Sequence, residues 1–354
     1  MKSHQKGQGA QINPDNRFFE QRKERIGEYL DYLEAEGEQE SNDTKFVEVF
    51  PKTIVNKVPS PDVGMDWSMN PYQGCEHGCS YCYARNTHEY WGYSAGIDFE
   101  RTILVKKNSP QLLEEKLLSK NWKAATIVMS GNTDCYQPAE RRFQITRQCL
   151  EVFWKYRHPV GIITKNALIQ RDLDIIEKLA SENLIMVVVS VTTLDEDLRR
   201  VMEPRTASAA RRLQTIEKLT KAGVPVMAMI APIIPGLNSH EVFDLMNAVK
   251  EAGAVDAGYT MVRLNGQIGD IFSDWVQRTH PDRAEKILNH IKSAHHGQLN
   301  DNEFGRRMKG EGKMAEQIRD SFKLAKRKAF GETKRITLNT NLHDQYKSGQ
   351  FTLF

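Results

Sequence analysis

Three of the five cysteines, Cys75, Cys79 and Cys82, fall within eight residues in the spacing C-x3-C-x2-C. Thiolates on one short loop can converge on one centre, and soft sulfur ligands select zinc, Cu(I) or an iron–sulfur cluster. Gly74 and Gly78 leave the backbone free to wrap around a bulky object. Two readings follow from the spacing. Zinc needs a fourth ligand, for which His77 or His88 is at hand. Structural zinc sites usually pair two short knuckles, however, and no second C-x2-C is present. Three cysteines without a fourth suit a cluster that keeps one iron open for a small molecule.

Such a loop has to be held by a scaffold, and the pattern of the chain predicts one. Short apolar runs predict strands at Thr102–Lys106, Thr126–Met129, Val160–Thr164, Ile185–Ser190, Val224–Ile230 and Ala257–Leu264. Helical patterns alternate with them, at Pro110–Ser119, Ala139–Tyr156, Leu168–Glu182, Ser208–Ala222 and Ser239–Ala252. Runs as uniformly apolar as Ile185–Val189 fit a parallel sheet covered on both faces. Repeated β-α units mean right-handed crossovers and an α/β fold. The order suits a partial barrel of about six units, and on periodicity alone a doubly wound sheet fits nearly as well. Gly223 is expected to close one helix and Ser239 to cap another. In parallel α/β sheets ligands gather at the carboxyl ends of the strands. The segments expected there are polar or glycine-rich: Ser130–Glu140, Thr164–Asn166, Ser190–Thr193 with Glu203–Arg205, and Ala231–Asn238.

Three divisions are expected. Residues 1–45 read as a flexible polar N-terminal arm with one amphipathic helical stretch near Phe18–Glu36. Residues 46–265 read as the partial barrel, and 266–354 as a helical C-terminal extension. In that extension Ile271–Gln277 and Asp282–Ala294 are expected helical. So is the Lys/Arg-rich stretch Glu303–Arg327, broken at Gly310 and Gly312. The formal net charge of +3 over 354 residues carries no global nucleic-acid or membrane signature. No run of about 18 apolar residues exists and no apolar leader is visible, so no membrane association is expected. Clustered thiols in a long chain do not suggest a disulfide framework. A reducing cytoplasm is the expected setting.

C-x3-C-x2-C with an aromatic before the last cysteine (Tyr81-Cys82) resembles the signature of radical SAM enzymes. Tyr81-Cys82-Tyr83, Thr133-Asp134, Thr164-Lys165, Ser190 and Ala231-Pro232-Ile233-Ile234-Pro235-Gly236 together resemble the branch related to spore photoproduct lyase, in an uncharacterised bacterial group. The resemblance implies a partial (β/α)6 radical SAM barrel with a [4Fe–4S] cluster on Cys75, Cys79 and Cys82. S-adenosylmethionine (SAM) would chelate the fourth iron. Its reductive cleavage to a 5′-deoxyadenosyl radical would then take a hydrogen atom from a substrate.

Within that resemblance Lys165 meets the methionine carboxylate as a point charge. Ser130 and Asp134 fix the amino group, unless they only cap the following helix. Ser190 bonds the ribose or carboxylate. Tyr81 and Tyr83 pack on adenine and cluster, with plain core packing as the alternative. Ala231 lets the backbone approach the adenine. Arg205 pairs with a carboxylate or a substrate phosphate, or else forms a surface ion pair. Cys135 is a candidate hydrogen-atom donor, because spore photoproduct lyases use a cysteine from this strand-end region. That cysteine falls nearer Gly131, and a packed thiol is the competing reading. Cys149 lies at helical spacing from Ile145 and Phe153 and is expected in the core.

Partners follow from the same reasoning. Reduction implies a flavodoxin- or ferredoxin-like electron donor. Arg306–Lys328 is a candidate phosphate-contacting segment. Gln350–Phe354 resembles the short peptide by which bacterial DNA-processing proteins dock on the sliding clamp. The leading expectation is a radical SAM enzyme acting on DNA or another nucleic acid, in repair or modification. The alternatives are radical modification of a peptide, protein or small molecule, and a non-enzymatic zinc-bound interaction protein.

Overall fold

The structure is a computed structural model that describes residues 4–18, 43–333 and 335–348. Most of the helical stretch expected at Phe18–Glu36, and the terminal peptide Gln350–Phe354, lie outside the described residues.

Ten strands form two sheets. In chain order they are β1 (Lys45–Val49), β2 (Val55–Lys57), β3 (Trp67–Met69), β4 (Tyr72–Gln73), β5 (Thr102–Lys106), β6 (Ile127–Met129), β7 (Val160–Thr164), β8 (Ile185–Ser190), β9 (Val226–Ile233) and β10 (Asp256–Met261). The larger sheet runs β10-β9-β8-β7-β6-β3-β2. From β3 to β10 every pairing is parallel, and β2 pairs antiparallel with β3. The order follows the sequence without reversing. That excludes the doubly wound alternative, which needs a switch point where the order turns back. Among the described residues β3 and β10 do not pair, so the array is an open, singly wound α/β sheet of six parallel strands.

The strand expected at Thr102–Lys106 exists but lies outside this sheet. It pairs with β1 in parallel and with β4 in antiparallel sense. The reason is local: β4 is the two-residue run just before Gly74, so this side sheet fixes the start of the cysteine loop. β9 extends past its expected end to Ile233. Beyond Met229 it pairs only with β10, so Pro232 removes no bond on the β8 side.

The helices follow the expected pattern with interruptions that have causes. The stretch Ala139–Tyr156 divides into Glu140–Phe143 and Ile145–Lys155, because Gln144 takes φ +50°. Ser208 caps Ala209–Lys221 by accepting from the Arg211 amide at 3.3 Å. Ser239 does not cap as expected. The α-helix starts at Val242, and Ser239 instead accepts from the Gly236 amide. In the C-terminal part the glycine break is seen, with Gly312 at the N-terminus of Lys313–Phe330. That helix packs on Val242–Glu251 and buries Ala315, Ile318, Phe322 and Ala325. The main core lies between the sheet and this helical layer, from Ile127 and Ile162 through Val187 and Ala228 to Leu245 and Phe153.

Two segments complete the shell around the site. Residues 4–18, expected within a polar solvated arm, are packed, and Ala10 is fully buried. The amides of Gly9 and Ala10 bond the Glu100 carboxylate, and Arg17 bonds Glu89. On the other side the segment Leu299–Met308 follows the free edge of β10, accepting from the amides of Met261 and Leu264. It reaches the start of the sheet through Arg307, which donates to Asp62 and to Ser60 Oγ.

Candidate active site

The cysteine loop leaves β3 and β4 at the carboxyl rim of the larger sheet. Gly74 (φ +79°) and Gly78 (φ +66°) turn it. A Cβ on Gly74 would stand 2.7 Å from the Thr102 carbonyl oxygen, and one on Gly78 2.5 Å from Glu100 Oε2, so both must be glycine. Arg85, fully buried, stitches the loop together. It donates to the carbonyls of Cys79, Gly78, Ala95 and Gly96 and to Glu100 Oε1 at 2.5 Å. Gln137 reaches over from the β6 loop to bond the Glu76 amide and the Gly74 carbonyl.

Cys75 and Cys79 are buried and Cys82 is half-buried. Burial pushes the Cys75 thiol up to about 12, with Asp134 and Cys82 adding to it. Burial, then Glu203, pushes the Cys79 thiol well above its ordinary value. Among the described residues no three His, Cys, Asp or Glu side chains converge on one point as a single ion requires. His77 points elsewhere, its Nδ1 3.4 Å from Asp134 and its Nε2 3.1 Å from Asn166 Nδ2. The arrangement is three neighbouring thiols in one glycine-turned loop, a donor set that suits an iron–sulfur cluster.

Behind the loop the next strand ends bring a charged group to Cys79. The Tyr81 hydroxyl donates to Glu203. Glu203 also accepts from Thr192 Oγ1 (2.8 Å) and Arg212 Nη2 (2.5 Å). Burial would raise the Glu203 carboxyl, but Arg212, Lys165 and the Tyr81 hydroxyl outweigh it and hold it at about 2. Lys165 lies at the end of β7 with Nζ 5.9 Å from the Tyr81 ring centroid. Burial pulls it down, and the neighbouring Cys79 and Glu203 outweigh this and raise it. Arg212 Nη1 bonds the Ser190 carbonyl, and Thr192 Oγ1 the Ala231 carbonyl. Tyr81 and the carbonyls of Ser190 and Ala231 are therefore joined through one hydrogen-bonded group around Glu203, with the Lys165 ammonium close beside it. Tyr83 is 55% exposed at the mouth, its hydroxyl on the Gly131 carbonyl.

Other expected residues are placed differently. Asp134 is engaged by Thr164 Oγ1, the amides of Lys165 and Tyr136, and His77. It ties the rim loops together and does not cap the following helix, whose N-cap position is Ala139. Ser130 (φ +76°) accepts from the Cys135 amide. Cys135 is 0% exposed in the main core, as is Cys149, so its thiol does not reach the rim as a hydrogen donor would have to. Arg205 stands behind the loop, donating to Glu100 Oε2 at 3.1 Å, which is an ion pair rather than a ligand contact. In the basic segment, Arg306 pairs with Asp301, Arg307 with Asp62 and Lys326 with Asp256. Those cations serve the fold, which removes the basis for reading them as phosphate contacts.

Sequence reasoning passed over Arg85 and Arg212 and gave Glu203 no role, because what these side chains bond is set by how the loops fold and not by a local pattern. Arg263 was readable. It follows β10, so it is the sixth strand-end residue. Its Nε is buried without a hydrogen bond, and its Nη1 touches only Met308 Sδ at 3.8 Å.

The Radical SAM superfamily profile matches residues 69–249, half of the chain and the whole run from the cysteine loop to the fifth parallel strand. The chain belongs to the radical SAM superfamily. It is 34% identical over 244 residues to an uncharacterised protein of Mycobacterium tuberculosis, covering 68% of this chain and 72% of that one. It is 28% identical to an uncharacterised protein of Methanocaldococcus jannaschii, over 69% and 87% of the two chains. A radical SAM Nα-GlyT isomerase of Pseudomonas phage M6 is 24% identical, over 55% of this chain and 38% of that one. Spore photoproduct lyase complexed with dinucleoside spore photoproduct shares the fold, with a TM-score of 0.61 at 15% identity over 86% and 92% of the chains. Membership makes this protein a radical SAM enzyme, whose superfamily works with a [4Fe–4S] cluster and SAM and takes electrons from a reductant. No described helix is long and apolar enough to cross a membrane.

Proposed function

We propose that Cys75, Cys79 and Cys82 hold the [4Fe–4S] cluster and that SAM lies between it and the rim group of Lys165, Ser190 and Ala231. The observation that carries this is the glycine-turned loop of buried thiols set against the Lys165–Glu203–Tyr81 group. Bound together, cluster and SAM supply a radical that takes a hydrogen atom from the substrate. Lys165 presents a cation to the methionine carboxylate, and Glu203 and Arg212 hold the lysine and Tyr81 in place. Tyr81 walls the cluster side, Ser190 offers a hydroxyl at the end of β8, and small Ala231 leaves room beside the nucleoside.

The substrate proposed is a nucleic acid. Its support is the pairing at the mouth of an exposed aromatic, Tyr83, with the under-bonded cation Arg263. An aromatic face and a cation are what an unstacked base and its phosphate require. The fold shared with spore photoproduct lyase agrees with this reading.

Anaerobic reconstitution tests the enzyme part. About four irons per chain and dithionite-dependent 5′-deoxyadenosine are expected, both lost in Cys79→Ala; a variant that still forms deoxyadenosine at the parent rate refutes the cluster assignment. For the substrate, single-stranded oligonucleotides are expected to stimulate deoxyadenosine formation, and Arg263→Gln to remove that stimulation. Stimulation by peptides alone would overturn it.

A further inference from the structure

On the far side of the cysteine loop from Lys165 lies a cleft of about 420 Å³, open to solvent, whose walls carry Arg141, Arg171, Arg205, Arg211 and Lys218 and no carboxylate. Arg171 is neutralised by Glu140 and Asp172, and Arg205 by Glu100. Arg141, Arg211 and Lys218 take part in no ion pair among the described residues; Lys218 Nζ bonds only the amide oxygen of Gln170. Arg205 Nε is a buried donor without an acceptor. The cleft thus holds uncompensated positive charge, and the start of the helix Ala209–Lys221 adds the positive end of its dipole.

Its position says what kind of anion it serves. Successive side chains at a strand end face opposite ways. Lys165 faces Tyr81 within the rim, and Asn166, the next residue, lines the cleft. Asn166 Nδ2 meets His77 Nε2 at 3.1 Å, and His77 lies between Cys75 and Cys79. The cleft and the SAM side are therefore back to back across the cysteine loop. Two more of its walls, Gln170 and Gln214, belong to the outer helical layer. A substrate held there would be cut off from the site of hydrogen abstraction. An electron needs only proximity.

We infer that this cleft is the docking site of the electron donor, a one-electron carrier protein with an acidic surface. The inference rests on the radical SAM assignment. One electron leaves the carrier, which is oxidised by one unit, and would reduce by one unit the cluster that Cys75, Cys79 and Cys82 would hold; no bond forms or breaks. Complementary charge steers such an encounter and makes it salt-dependent.

Reduced flavodoxin is the probe, and the reconstituted full-length enzyme its partner. Replacing Arg141 and Arg211 together by Glu is expected to raise the flavodoxin Kd at least tenfold at low salt and to flatten its salt dependence. Flavodoxin-driven deoxyadenosine formation should fall with it, while the dithionite-driven rate and the iron content stay at parent values. The Arg141→Gln, Arg211→Gln pair should fall between, which separates charge from misfolding. Unchanged flavodoxin binding overturns the inference. So does loss of oligonucleotide binding without loss of flavodoxin binding, and so does a dithionite-driven rate that falls equally. Parent enzyme that makes no deoxyadenosine with dithionite would refute the radical assignment itself, a result separate from the Kd comparison.

Discussion

Glu203 is the residue on which the interior charges depend. It lies between Arg212, which is buried, and Lys165, which is half-buried, and among the described residues no other carboxylate bonds Arg212. Removing one partner of a buried ion pair leaves the other uncompensated, which costs about 3–5 kcal/mol. Glu203→Gln is therefore expected to lower the urea unfolding free energy by about that amount; a loss below about 1 kcal/mol would show that the carboxylate does not neutralise the group. Of the site itself, the cysteines, Tyr81, Lys165, Ser190 and Ala231 were legible as residue types at strand ends. Glu203 was visible only as a neighbour of Arg205, because its meaning comes from Tyr81, 122 positions away.

Among the elements, the N-terminal strap and the helical layer each make a prediction. Gly9 lies on the cysteine loop so closely that a Cβ would fall 1.6 Å from the Gly78 carbonyl oxygen. Gly9→Ala must lift the strap from Glu100 and expose the back of the loop. Faster amide exchange at residues 74–82 and faster proteolysis within residues 4–18 are expected; Gly64→Ala, where a Cβ meets nothing within 4 Å, is the control. In the layer beside β7, Trp122 Nε1 donates to His158 Nε2, so the proton is on Nδ1 and faces the Pro159 carbonyl. Burial, with His343 adding, lowers His158 from 6.5 to about 3. The unfolded chain then binds one more proton between these values. The stabilising effect of the neutral ring is complete above pH 6.5 and lost as pH falls toward 3, at roughly 1.4 kcal/mol per pH unit. The parent Tm should drop across that window more steeply than that of His158→Gln. Equal slopes would remove His158 as the cause.

At the scale of the whole molecule, the edges of the open sheet are β10 and β2, and residues 299–308 run along β10 and reach the β2–β3 connection. The latch is Arg307 on Asp62 and Ser60, reinforced by the Gly305 amide on Asp62 at 2.6 Å. Arg307→Met should free the segment without unfolding the sheet. Hydrogen exchange is expected to rise in residues 299–310 and near 60–66, and to stay unchanged in β7 and β8. A rise spread over all strands would mean that the pair supports global stability instead.

The sequence alone determined the order of units, and through the family its motifs resemble it pointed to the metal chemistry. The cysteine spacing is local, and apolar runs alternating with amphipathic ones force parallel strands with helices between them. It also pointed to the carboxyl rim of the sheet, since four of the segments expected there, besides the cysteine loop, were polar or glycine-rich. Only the tertiary structure decided that the array is singly wound, because periodicity is the same whether or not strand order reverses. Only the fold could assign β5 to a side sheet, Cys135 to the core, and Arg205, Arg306 and Arg307 to internal ion pairs. For β5, Arg205 and Arg307 the partner is distant in sequence, and no spacing records such a partner.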